Sequence, residues 1–121
     1  MADLIKISET IRDHLIKQNA QAIDNGLCCY RTDSGLKCAV GCLITDEHYS
    51  SNMEHRPAKD GRVVRAIIES LGIEWNYKVE GLLTAWQAYH DGVYGVWVND
   101  KLCASPSEQH ENFVKNLINI G

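Results

Sequence analysis

Apolar residues recur at helical spacing from the start of the chain. Leu4, Ile7, Ile11, Leu15 and Ala22 fall on one face, with Lys6, Glu9, Arg12, Asp13 and Lys17 between them. The pattern predicts a long amphipathic helix over residues 3–25, closed by Gly26, whose tolerance of positive φ suits a position just past a helix end. The next stretch, LCCYRTDSGLKCAVGCLI, splits at Asp33-Ser34-Gly35 into a short extended piece and a second apolar piece from Leu36 to Ile44. Ala39 and Gly41 are poor strand residues, so the second piece is expected to be a short buried helix with Cys38 and Cys42 on one face. Residues 45–61 carry no sustained apolar period and form a connection longer than most, of the kind that is functional or mobile.

Val63, Val64, Ile67, Ile68 and Leu71 mark a third helix that Gly72 can close. Val79, Leu82, Leu83, Trp86 and Tyr89 mark a fourth, in which Gly81 costs about 1 kcal/mol relative to alanine and signals close packing or a weak point. Tyr94, Val96 and Val98 alternate ahead of Asn99-Asp100, which predicts a small hairpin near residues 93–103. Ser105-Pro106-Ser107-Glu108 is a capping box with proline at the first helical position, followed by Phe113, Val114, Leu117 and Ile118. The expectation is therefore a mainly α, compact single-domain protein over residues 1–121, with about five helices and that hairpin.

Composition agrees: 121 residues suffice to bury one core, and 45% hydrophobic with 23% charged residues is ordinary for a globular domain. No apolar run approaches the roughly 20 residues that cross a bilayer, and the first ten positions carry acidic residues where a signal peptide is basic and then apolar. A cytoplasmic location without membrane association is expected, in which the five cysteines are reduced thiols or ligands rather than disulfides. A formal charge of -4 opposes the counterion-release contribution to nucleic-acid binding and argues against such a partner.

The candidate chemistry is sparse. Cys28, Cys38, Cys42 and His48 could supply thiolate and imidazole to zinc, but only Cys38 and Cys42 stand at helical spacing and Cys28 is followed directly by Cys29. No cofactor is the first expectation and zinc the alternative. His48, His55 and His90 could activate a thiol, yet no nucleophile elbow surrounds one, so no catalytic residue is assigned and a binding protein is favoured over an enzyme. Gly35 ahead of the expected helix, flanked by Arg31 and Lys37, forms a candidate anion cradle. The long connection offers His48, Tyr49, His55, Arg56 and Lys59, and a later segment adds Tyr94 and Trp97, as recognition groups. Tryptophans are more often core anchors than binding residues, which is the expectation for Trp86; Trp97 stays open between the two.

Cys28, Tyr30, Arg31, Gly35, Lys37, Cys38, Ala39, Gly41, Cys42, Leu43, Ile44, Asp46 and Tyr49 together resemble the pattern of an uncharacterised family of small proteins found in bacteriophages and bacteria. That pattern reads Cys-x-Tyr-Arg, a glycine turn, then Lys-Cys-Ala-x-Gly-Cys-Leu-Ile, an acidic residue and tyrosine. It covers under a fifth of the chain, with looser similarity in a helix ending Ala88-Tyr89-His90-Asp91 and in the last helix, and residues 92–104 depart from it. The resemblance implies a mostly helical fold and a phage or prophage setting, and no activity. The expected function is a non-enzymatic accessory protein that captures or inhibits a host protein or a small anionic ligand, with counter-defence as one role. Its candidate contacts are Tyr30, Arg31, Lys37, His48, Tyr49, His55, Arg56 and Trp97. The competing expectation is a cysteine- or zinc-centred small enzyme or metal-binding protein. A third reading makes residues 28–44 a packing motif only, and a symmetric homodimer is compatible with all three.

Overall fold

The computed structural model describes residues 2–24, 27–56, 60–90, 97–98, 101–102 and 106–120. It is mainly helical, with α1 at Ala2–Gln18, α2 at Gly61–Leu71, α3 at Tyr77–His90 and α4 at Pro106–Ile120. Single 3-10 turns occupy Gly41–Leu43 and Ser51–Met53. Two-residue strands β1 (Ile23–Asp24) and β2 (Leu27–Cys28) pair antiparallel, Ile23 opposite Cys28.

α1 buries Leu4, Ile7, Ile11 and Leu15 as its spacing requires, together with Ser8. It stops at Gln18, seven residues before the expected end at 25, because Asn19 adopts a left-handed conformation (φ 45°) and donates its N–H to the Leu15 carbonyl at 2.9 Å. Ala22, which extended the helical pattern, is buried for another reason: its N–H donates to Nε2 of His90 at the end of α3. Gly26 lies outside the described residues.

The helix expected over residues 36–44 is absent. Lys37 forms an isolated bridge with Arg31, and only the Gly41–Leu43 turn is helical, so the described residues hold four α-helices rather than five. A Cβ on Gly41 would run into the Tyr30 carbonyl, 2.9 Å from its carbon, so the glycine is there to let two backbones meet.

α2 begins where Asp60 accepts the Arg62 N–H at 3.0 Å and ends where Gly72 (φ 66°) donates to Ile68. The Asn76 side chain caps α3 by accepting from Lys78 and Val79. A Cβ on Gly81 would meet nothing within 4 Å, so close packing does not explain that glycine. Val63, Ile67, Leu82, Leu83, Trp86 and Tyr89 meet the α1 stripe and Cys38–Val40 in one core. Trp86 is fully buried and packs edge-on against Tyr89 and Phe113, centroids 5.5 and 5.0 Å away. Strands β3 (Trp97–Val98) and β4 (Lys101–Leu102) pair over two residues each. Of the hairpin expected near residues 93–103 only these four residues are described, and the expected turn at Asn99-Asp100, like Ser105 of the capping box, lies outside the described residues. No described helix is long and apolar enough to cross a membrane.

Candidate functional site

The segment carrying the motif pairs part of its backbone internally, through the Arg31–Lys37 bridge and the turns that follow it, and the groups left over find partners on distant side chains. The Glu54 carboxylate accepts the N–H groups of Tyr30 (2.8 Å) and Arg31 (3.0 Å) and also the Tyr49 hydroxyl. Gln18 accepts from the Lys37 N–H and donates to the Lys37 carbonyl, which takes a second hydrogen bond from Nε2 of His14. Gln87 accepts from the Val40 N–H, and the Gly41 N–H points at Sγ of Cys38. Side chains from α1, α3 and the connection after residue 44 thus complete the pairing that the segment's own turns begin.

Several residues expected to bind a ligand serve this framework. The Tyr30 hydroxyl donates to the Arg56 carbonyl. The Arg31 guanidinium donates to the Ile44 carbonyl, pairs with Asp46 at 2.8 Å and lies over the Tyr49 ring at 4.5 Å from its centroid. Burial, followed by the hydrogen bond to Glu54, raises the Tyr49 phenol above its ordinary value. Gly35 sits in a turn at φ 94° with no helix after it, so the cradle expected between Arg31 and Lys37 does not assemble at a helix start.

Cys38 and Cys42 close one turn of chain, the Cys42 N–H donating to the Cys38 carbonyl at 3.1 Å and the Cys42 thiol to Ala39. Burial pushes the Cys42 thiol up to about 12, which leaves it protonated and a poor nucleophile at neutral pH. The fourth candidate ligand, His48, pairs through Nδ1 with Glu69 of α2 at 3.1 Å. Among the described residues no three His, Cys, Asp or Glu side chains gather to hold a metal ion; the Cys28 side chain lies outside them.

A surface cleft of about 630 Å³ opens instead between the residue 48–53 segment and the start of α2, lined by His48, Ser50, Asn52, Met53, Asp60, Gly61, Arg62 and Arg65. Arg56 braces it, donating to the Asn52 carbonyl at 2.9 Å and reaching Asp60 at 3.7 Å. Arg62 and Arg65 are exposed and have no ion-pair partner among the described residues. His55 is exposed at φ 65°, an uncommon conformation for a residue with a side chain.

The structure therefore brings His48 to the cleft, places Arg56 beside it and sets Tyr30, Arg31 and Tyr49 in the framework behind. Lys37 belongs to the backbone junction with α1, while the side chain of Trp97, and all of Lys59, lie outside the described residues. Sequence reasoning missed Arg62 and Arg65. Their signal was two arginines three apart, the first two positions after an aspartate able to cap a helix, which puts both on one side of the first turns of that helix. No family model, curated protein or solved structure matches the chain.

Proposed function

We propose that this chain is a non-enzymatic binding protein whose cleft at the start of α2 takes an anionic group, phosphate or carboxylate, carried by its ligand or protein partner. The observation that carries the reading is the pair of exposed arginines, Arg62 and Arg65, without ion-pair partners among the described residues and lining a cleft with His48. Guanidinium groups bind oxyanions through paired hydrogen bonds, and the first turn of a helix favours negative charge. Asp60 does not cancel this, because it caps Arg62 and is offset by Arg56. A phage setting and a host partner rest on the resemblance carried by residues 28–49, and a cytoplasmic location on the lack of a long apolar run or signal-peptide pattern in the sequence. The competing reading, a cysteine- or zinc-centred site, has the one-turn closeness of Cys38 and Cys42 in its favour and the raised Cys42 thiol against it as a nucleophile.

Inorganic phosphate is the simplest probe. In a titration followed by amide NMR, residues 61–65 are expected to shift in a saturable way that weakens with salt, and the double variant Arg62→Glu/Arg65→Glu is expected to lose the response while keeping its fold. Unchanged spectra at tens of millimolar phosphate, or an identical response in the double variant, would remove the cleft from the proposal. Arg31→Ala should behave differently, lowering stability through its contacts to Ile44 and Asp46 without abolishing the response.

A further inference from the structure

α4 meets the rest of the molecule through an unusual centre. Pro106 and His110 are its buried described residues, and Phe113 is half-buried against Trp86. None of its described side chains belongs to the fully buried apolar cluster; Phe113 only packs against it. Where a helix of this kind would normally place a leucine, His110 is 8% exposed and its Nδ1 lies 2.7 Å from Oγ of Ser8, itself fully buried in the α1 stripe. The same Ser8 oxygen accepts the indole N–H of Trp86 at 2.9 Å. The Ser8 hydroxyl, the indole N–H and Nδ1 are all satisfied when Ser8 donates its own proton to Nδ1 of a neutral imidazole, so one hydroxyl joins α1, α3 and α4.

We propose that His110 makes α4 a releasable arm: in mild acid α4 loosens from α1 and α3 and uncovers Trp86, while the core built by α1, α2, α3 and residues 38–44 stays folded. Protonation puts a hydrogen on Nδ1, where the Ser8 proton already points, and leaves a charge in a site 8% exposed. The charges around the ring are Glu9, Arg12 and Asp13 of α1 and Glu111 of α4; α3 presents the uncharged Trp86. The three carboxylates favour the imidazolium, but Arg12, already bonded to Asp13 at 2.8 Å, opposes it, and no carboxylate among the described residues is hydrogen-bonded to the ring. Burial, then Arg12, sets the balance and holds His110 below its ordinary value. The sign follows: the released state takes up the proton more readily, so docking is complete above about pH 6.5 and weakens as pH falls below it.

Hydrogen exchange of the intact protein between pH 7.5 and 5 reads this directly as the protection of α4 amides relative to α2 amides. The ratio is expected to fall by up to about tenfold per pH unit, the limit for one proton, and to stay flat in His110→Gln. A ratio that does not change with pH, or the same fall in His110→Gln, overturns the proposal. Should His110→Gln not fold, the His110 ring resonance of the wild type decides by NMR titration. A midpoint below the ordinary histidine value that coincides with the α4 changes supports release, and a midpoint at or above it refutes it. His14, which donates to the Lys37 carbonyl, also titrates below its ordinary value, so His14→Gln is the control and should leave the α4 to α2 ratio as in the wild type.

Discussion

Glu54 and Gly41 show how much of this molecule turns on single atoms. Glu54 uses both carboxylate oxygens to hold the backbone of Tyr30 and Arg31, and Gly41 offers no side chain where the Tyr30 carbonyl must pass. Gly41→Ala forces the two backbones apart and is expected to destabilise by about 1–3 kcal/mol, read as a lower denaturation midpoint at unchanged slope. Stability within a few tenths of a kcal/mol of the wild type would show that the turn can shift freely. The sequence marked Gly41 only as a poor strand residue, which pointed to a helix rather than to this close approach, and Glu54, one more acidic residue in a polar connection, did not stand out at all. A carboxylate that bonds backbone groups more than twenty positions away leaves no periodic trace.

At the scale of elements, legibility followed local chemistry. α2 could be read at its closing end, where Gly72 acts within a few residues, whereas Asp60, which opens it, was counted with the connection before it. Asp60→Ala is expected to cost about 1 kcal/mol through the cap, and circular dichroism melting should show it. The same variant frees Arg56 from its ion pair and should tighten phosphate binding at the cleft, a combination that simple loss of structure would not produce. α3 was legible from its apolar spacing, and the start of α4 from Pro106 at the first helical position. The overlong α1 and the expected helix at 36–44 failed differently, because spacing alone cannot distinguish a helix face from buried residues of an irregular segment. Ala22 and Cys38 are fully buried as the pattern required, but the partners that bury them come from α3 and from the turn at Gly41.

Across the whole molecule, the helical class and one core were readable from patterning, since Leu4, Ile11, Leu15, Ile67, Leu83 and Trp86 are all buried where the stripes placed them. The candidate site was legible only in its neighbourhood. His48 and Arg56 pointed to the connection that borders the proposed cleft, but Arg62 and Arg65, without ion-pair partners among the described residues, belong to the helix after it, and Arg31 and Tyr49, the most conspicuous recognition groups, are occupied in holding that connection to the motif. An overall charge of -4 gave no sign of Arg62 and Arg65 standing unpaired among the described residues, because net charge carries no information about which ions are already paired.

The fastening of residues 29–44 by distant side chains also sets a sequence of events in time. This segment closes its own turns, through the Arg31–Lys37 bridge and the Cys38 N–H on the Tyr30 carbonyl, but its attachment to the core waits on Gln18, Glu54 and Gln87, so it is expected to dock after the folding barrier has been crossed. Stopped-flow measurements on Glu54→Ala should accordingly find refolding within about twofold of the wild type and unfolding faster by on the order of tenfold. The resemblance-bearing segment would then govern how long the folded protein lasts rather than how quickly it forms.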